Sequence, residues 1–366
     1  MKINILSPGR FHVLDLAREL DKNGFDVKFY SGVPASRCRK FGLPRKCCAS
    51  LFLPLLPFYA LNKIVRGKQW AAQLRIWVQD RLTALAMRKC DVVISMSGDF
   101  VVSLHKAKKQ GATIIVERGS KHILEQKRIL ESIPSNIGKE PVPMANVKRE
   151  LECYQLADYI SIASIHVKRS FLLHNYPENK LFVNPYGVSL SQFSQLNVPK
   201  VYDVINVGSW SYQKGSDLIL NAIRQLGVQF LHVGTLVDVP FEEDGFCHHV
   251  DAVDQTALSS YYNSAKIFIL PSRQEGLAMV QAQAIACNLP VIGSPDSGAE
   301  DLQRMVEHPE YISIIREYSV EAVVNAIAEA LGKYATLGNT KYAGEAIENL
   351  TWEAYGRRYA NFLNTL

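Results

Sequence analysis

The sequence predicts an α/β protein of two lobes, and three observations predict it. At 366 residues the chain exceeds what one hydrophobic core supports, so two domains of ordinary size are expected. Short apolar runs ending in Gly, Pro or Ser alternate with amphipathic helical patterns, as parallel strands joined by crossover helices do. Hydrophobic residues make up 48% of the chain, and no repeat or low-complexity tract interrupts it, which fits a soluble α/β composition.

Lys2–Ser7 (KINILS) reads as the first strand. PGRFH then leads into a helix whose Val13, Leu14, Leu16, Ala17 and Leu20 share one face until Asn23-Gly24 stops it. Phe25–Gly32 is the next strand. A glycine loop between first strand and first helix brings backbone amides toward a phosphate, which makes Gly9 a candidate contact and the adjacent Arg10 a candidate cation. No G-x-G-x-x-G with an acid about 20 residues on is present, which argues against a nicotinamide enzyme.

From Arg37 to Lys89 twelve Lys and Arg face a single acid, Asp80. Within this stretch Ala49–Leu61 (ASLFLPLLPFYAL) is shorter than a bilayer-spanning helix and carries Pro54 and Pro57, so it does not cross a membrane unaided. Flanking Lys and Arg around Leu, Phe, Tyr and Trp70 is also the composition of a segment that lies on an anionic lipid surface. A core loop and helix with a solvated basic rim is the equal alternative.

Gly111–Gln126 gives a buried strand, Ile114–Val116, ending in Glu117-Arg118-Gly119-Ser120 with His122 at the following loop or helix start. Open α/β sheets place ligands at such strand ends, although Glu117 and Arg118 fit internal pairing as well. Pro, Gly, Ser, Gln and Asn then accumulate from Tyr186 to Pro199, which marks a domain boundary. Asp203–Ile223 is a strand, a loop containing Lys214-Gly215, and an amphipathic helix.

The densest signal is Pro271–Ser294. Ile267–Leu270 before it is a buried strand, Glu275-Gly276 close a turn, Leu277–Cys287 form a helix, and Asn288 caps it before Pro290. The amides of Gly276, Leu277 and Ala278 would then sit at the positive end of a helix without intrahelical partners, a place for a diphosphate.

Together these segments resemble, over nearly the whole length, the retaining glycosyltransferases of family four, whose two Rossmann-like lobes face each other across a cleft in the GT-B fold. The family's Glu-x7-Glu hallmark appears here as Glu275 and Gln283. The resemblance implies that Glu275 orients the hydroxyls of the donor sugar and that position 283 meets the ribose, here through an uncharged amide that both donates and accepts. It implies that Lys214 brings a mobile charge to the diphosphate. Where the family carries Arg after the strand-ending Gly, this chain has Ser209, with Arg273 or Arg10 as the replacement cation. His122 is the counterpart of the histidine that faces the sugar from the first lobe. Gly187-Val188-Ser189 stands for the family's Gly-Val-Asp, and Thr351–Leu366 for its closing helix, giving lobes at 1–190 and 191–350 and a return segment at 351–366.

The implied activity is transfer of a sugar, with retention, from a UDP- or GDP-sugar to a hydroxyl of a glycan or lipid-linked acceptor, as in polysaccharide, lipopolysaccharide or glycolipid synthesis. No Asp-x-Asp occurs, so protein cations and amides rather than a metal are expected to stabilise the leaving diphosphate, with no cofactor beyond the co-substrate. Ser209 and Gln283 keep open a non-catalytic relative that binds nucleotide sugar or glycan. A GT-B nucleotide-sugar epimerase is the other alternative.

Seven cysteines without C-x-x-C suit a reducing compartment, and a strand starting at Lys2 leaves no room for a signal peptide, so the cytoplasm or the inner face of a membrane is the expected address. Charge is segregated: 30 Lys and Arg against 15 Asp and Glu up to residue 185, then 11 against 20. The basic first lobe carries no nucleic-acid module, so nucleic acid is not expected as a partner.

Overall fold

The computed structural model of the protein describes residues 1–65, 68–338 and 340–366. Among them the first lobe contains β1 (Lys2–Ser7), β2 (Asp26–Ser31), β3 (Cys48–Ser50), β4 (Val92–Met96), β5 (Thr113–Arg118), β6 (Tyr159–Ile162) and β7 (Leu181–Val183). They form one sheet in the order β3-β2-β1-β4-β5-β6-β7, and all pairs are parallel. The helices of this lobe are α1 (His12–Lys22), α2 (Ala35–Lys40), α3 (Phe52–Ile64), α4 (Gln69–Ala86), α5 (Val101–Lys109), α6 (Ile123–Ser132), α7 (Met144–Leu156) and α8 (Ile165–Leu173).

The second lobe has β8 (Tyr202–Val207), β9 (Phe230–Val233), β10 (Cys247–Val250), β11 (Ala265–Ile269), β12 (Val291–Gly293) and β13 (Ile312–Ile314), parallel in the order β10-β9-β8-β11-β12-β13. Its helices are α9 (Ser216–Leu226), α10 (Gln255–Asn263), α11 (Met279–Ala286), α12 (Ala299–Gln303) and α13 (Val320–Leu337), and α14 (Trp352–Leu363) ends the chain's ordered elements. The central strands are apolar without alternation because helices cover both faces of each sheet; β1, β4 and β5 are buried along nearly their whole length.

In each sheet the chain reverses direction of winding between two neighbours, β1 and β4 in one and β8 and β11 in the other. Loops leaving such a pair diverge and open a crevice at the carboxyl edge. The lobes are tied by two crossings. Val188 donates to the Leu350 carbonyl at 2.7 Å, and Gly187 lies so close to the Thr351–Trp352 backbone that a Cβ would overlap it. Past this strap α14 returns to the first lobe, where Phe362 stacks on Phe182 at 4.2 Å and Gly356 abuts Glu19 of α1. Apolar packing is continuous from β1 through Tyr186 and Tyr355 to α11 and bridges the lobes, while each lobe keeps a further apolar cluster of its own on the other side of its sheet. Among the described residues no helix is long and apolar enough to cross a membrane.

Candidate functional site

Adjacent strands β8 and β11 deliver two loops side by side. From the first comes Lys214, whose ammonium pairs with the Glu275 carboxylate of the second. Ser272 Oγ donates to the same carboxylate at 3.1 Å, and the Glu275 amide donates to the Asp296 carbonyl at 2.9 Å. Gly215 makes the approach possible. Its φ is +76°, and its Cα faces the Pro271 carbonyl with no room for a side chain. Both members of the ion pair keep some exposure, 22% and 15% of their side chains, so an anion and a hydroxyl can replace each as the other's partner.

Around this pair two expected contacts, Arg273 and the Ala278 amide, are placed differently. Arg273, the candidate replacement cation, is committed to scaffolding: its guanidinium holds Asp217 through two bonds of 2.7 and 2.9 Å and donates to the Tyr212 carbonyl at 2.5 Å. Helix α11 begins at Met279, two residues later than expected, because Ala278 is extended at ψ 102°, and the Ala278 amide donates to the Ser297 carbonyl at 3.1 Å. Ala278 therefore offers no free amide. Gly276 is pressed against the Gly119 carbonyl of the first lobe, and its own carbonyl accepts from Ser164 Oγ at 2.7 Å and His166 Nε2 at 2.6 Å. Leu277 packs its side chain onto Gly298. Ser209 follows Gly208, a glycine at φ +136°, and is half-buried at the end of β8.

Between the lobes lies a cavity of about 1010 Å³. Arg10, His12, Asp15, Lys40 and Phe41 line it from the first lobe, and Val253, Asp254, Gln255, Met279 and Gln283 from the second. Arg10 bridges the two, with its guanidinium 3.4 Å from the Phe41 ring centroid and Nη2 donating to Gln255 Oε1 at 3.1 Å. Gln283 accepts from the buried Tyr262 hydroxyl at 3.0 Å, which fixes its amide at the cavity wall. The first turn of α11 thus joins the Glu275 loop to this cavity. Gly9 is half-buried with ordinary backbone, and a Cβ there would meet only the Phe11 ring at 3.6 Å, so the loop does not require glycine at that point.

His122 is turned into the core of the first lobe and does not line the interlobe cavity. It caps α6, with Nδ1 accepting from the Leu124 amide at 3.4 Å, and its ring is sealed among His174, Phe171 and Tyr154 at 4.2, 5.0 and 5.1 Å. Burial, then the neighbouring His174 and Arg118, lower its pKa to about 3, so it is neutral. Glu117 and Arg118 are both paired inside the lobe. Arg118 bonds Glu150 at 2.8 Å and Gln126 at 2.5 Å. Glu117 meets His12 at 2.9 Å and the Tyr359 hydroxyl at 2.8 Å.

His12 is the cavity residue that sequence reasoning passed over. Its signal was available, a histidine at the start of the helix that follows the first strand, but nothing local distinguishes it from His122. Lys121, away from the cavity lining, crosses to Asp296 at 2.5 Å and holds the lobes together beside Glu275.

Residues 202–333 match the family described as glycosyl transferases group 1. An uncharacterized glycosyltransferase of Methanocaldococcus jannaschii is 21% identical over 157 residues, 39% of this chain and 45% of that relative, so the match spans less than half of the relative's length. The whole structure is similar to sucrose-phosphate synthase from Thermosynechococcus elongatus, with a TM-score of 0.70, 18% identity, and coverage of 100% of this chain and 98% of that one. It is equally similar to Anabaena HepE in complex with UDP-glucose, at a TM-score of 0.70, 12% identity and full coverage of both chains. At these identities the likeness shows the fold, which is GT-B.

Proposed function

We propose that the protein is a glycosyltransferase that moves a sugar from a nucleotide diphosphate sugar to a hydroxyl acceptor. The observation that carries this reading is the Lys214–Glu275 pair at the winding reversal of the second sheet, beside an interlobe cavity large enough for a nucleotide. An arriving donor exchanges partners with the pair. Lys214 turns to the diphosphate, where negative charge grows as the sugar leaves, and Glu275 is released to accept from sugar hydroxyls. Gln283 and the Val253–Gln255 loop, facing Arg10, suit the nucleoside end of the donor. The match to group 1 transferases covers this donor lobe, and HepE was solved with UDP-glucose, which supports a UDP-sugar first and a GDP-sugar second.

Retention of configuration and metal independence complete the reading. The acceptor is a glycan or a lipid-linked saccharide of cell-surface polysaccharide, lipopolysaccharide or glycolipid synthesis, and the basic first lobe docks on the anionic inner face of a membrane. The test is a screen of labelled UDP- and GDP-sugars, first for binding and then for transfer, in EDTA and with added Mg²⁺. Glu275→Ala should lower turnover ten- to a hundredfold and Lys214→Ala should also weaken nucleotide binding, with folding verified. Near-normal turnover in both variants, or activity that returns only with a divalent ion, contradicts the assignment. Nucleotide binding without transfer identifies a non-catalytic relative; conversion of donor alone to an epimer identifies an epimerase.

A further inference from the structure

The turn that carries Glu275 belongs to no helix or strand, since β11 ends at Ile269 and α11 starts at Met279. Its backbone is anchored from both lobes. Within its own lobe the Glu275 amide donates to the Asp296 carbonyl at 2.9 Å and the Ala278 amide to the Ser297 carbonyl at 3.1 Å. From the first lobe the hold falls on the residue after the acid. The Gly276 carbonyl accepts from Ser164 Oγ at 2.7 Å and from His166 Nε2 at 2.6 Å, so both of its lone pairs are filled by side chains from the start of α8.

A carbonyl can only accept, so the proton of His166 is on Nε2. Its Nδ1 has no partner among the described residues, and burial, followed by the Lys121 charge, lowers the ring's pKa to about 4 and keeps it neutral. An unsatisfied buried nitrogen opposes folding, and the one bond that this ring makes is to the backbone beside Glu275. Other first-lobe groups close on the same turn. A Cβ on Gly276 would overlap the Gly119 carbonyl, Gln274 donates to Ser120 Oγ, and Lys121 holds Asp296 at 2.5 Å. The Glu275 carboxylate itself is bonded by Lys214 and Ser272. Once Lys214 turns to a diphosphate, the aim of the acid rests chiefly on the backbone of its turn.

We propose that Ser164 and His166 are positioning residues for sugar transfer: by holding the Gly276 carbonyl from the first lobe, they aim the Glu275 carboxylate at the donor sugar and make that aim depend on contact between the lobes. The proposal rests on the sugar-transfer reading above. Misplacing an orienting group by about 1 Å can cost about a hundredfold in rate, so the loss of one of the two bonds should register in kcat. The nucleoside diphosphate alone has no sugar for Glu275 to meet and should bind as before.

The experiment uses the full chain, the donor that the wild type turns over and the matching nucleoside diphosphate. His166→Phe keeps the bulk of the ring and removes its N–H; kcat should fall about tenfold, while calorimetry gives an affinity for the nucleoside diphosphate within about threefold of wild type. His166→Gln, whose amide can reach the same carbonyl, should recover kcat to within about threefold. In a Glu275→Ala background His166→Phe should cost less than about twofold more, because the acid it aims is gone. Arg169→Gln breaks the 3.6 Å pair between α8 and Glu300 of α12 without touching the turn, and should leave kcat unchanged. Ser164→Ala gives the same readings if His166→Phe does not fold. The proposal is overturned if these variants keep kcat within about threefold of wild type, if their loss is one of nucleotide affinity, or if it is undiminished in the Glu275→Ala background. It is overturned equally if His166→Gln is as slow as His166→Phe or if Arg169→Gln lowers kcat as much. A wild type that transfers no sugar, or a Glu275→Ala variant with normal turnover, overturns the sugar-transfer reading itself, and the proposal with it.

Discussion

Three histidines are held neutral by their surroundings, chiefly through burial: His122 with its pKa lowered to about 3, and His166 and His232 each lowered to about 4. In the unfolded chain all three return to 6.5, so below that value the unfolded state binds protons that the folded state refuses. Their contribution is complete above pH 6.5 and is lost progressively as pH falls toward 4. Stability in urea should therefore drop by roughly 1.4 kcal/mol for each such histidine per pH unit in this window. His122→Asn retains a side-chain acceptor for the cap and removes one titration, so its stability should fall less steeply with acid; an identical slope shows that His122 does not carry the effect. The same residue marks the limit of the sequence. His12 and His122 both stand at a helix start after a strand, and each has Gly and charged neighbours. What separates them is remote: His12 meets a carboxylate 105 positions away, and His122 stacks on a histidine from the far end of α8. That Glu275 and Lys214 stand on loops after their strands was legible because that turn and that loop are local. Arg273 differs from the expectation because its partner Asp217 lies in the first turn of α9, 56 positions away.

At the scale of elements, buried parallel strands were the easiest part to read, since an unbroken apolar run bounded by Gly or Pro has few other homes. Lys2–Ser7 is a strand over the range expected, and β5 extends the expected Ile114–Val116 to Thr113–Arg118. Helix α11 was placed correctly but starts late, because Ala278 is held extended, with its amide on the Ser297 carbonyl, by a tertiary contact that propensity does not contain. The return of α14 to the first lobe depends on a close approach. Gly356 stands against Glu19 with no space for a Cβ, whereas Gly332 in the interior of α13 faces open space. Two substitutions should thus behave oppositely. Gly356→Val forces α14 off α1 and should cost about 1–3 kcal/mol in urea unfolding as Tyr359 withdraws from Glu117. Gly332→Ala should gain roughly 0.5–1 kcal/mol with turnover unchanged. Equal effects from the two would mean that α14 is free to shift and that its seat on α1 is looser than the contacts imply.

For the whole molecule the dominant feature is the division of charge between a basic first lobe and an acidic second one. The excess sits largely on the segment that forms α2, α3 and α4, and the structure sorts its apolar side chains. Leu55 is fully buried and Tyr59 donates to the Gly32 carbonyl at 3.1 Å, so these two, which composition alone offered for insertion, belong to the lobe. Phe52 and Phe58 are half-buried. Leu53, Leu56, Ile64, Trp70 and Trp77 remain about half or more exposed, with Arg81 over the Trp77 ring at 4.3 Å and Arg45, Lys46 and Lys63 exposed nearby in sequence; Arg66 lies outside the described residues. Exposed tryptophans among cations, without an apolar run long enough to span, match shallow insertion at an anionic surface. Each cation near such a surface contributes about 1 kcal/mol, an amount that salt screens, and the apolar side chains add a part that salt does not weaken. Co-sedimentation with vesicles containing anionic lipid should therefore capture the protein at low salt and release most of it at high salt. Replacing Arg45, Lys46 and Lys63 by Gln should reduce capture at low salt, and Leu53→Ser with Trp77→Ser should reduce the fraction that survives high salt. Capture that ignores lipid charge, or that both sets of substitutions leave unchanged, would assign the basic excess to solubility and the exposed tryptophans to an acceptor or a protein partner, and the lipid-linked acceptor would lose its support in the surface of this lobe.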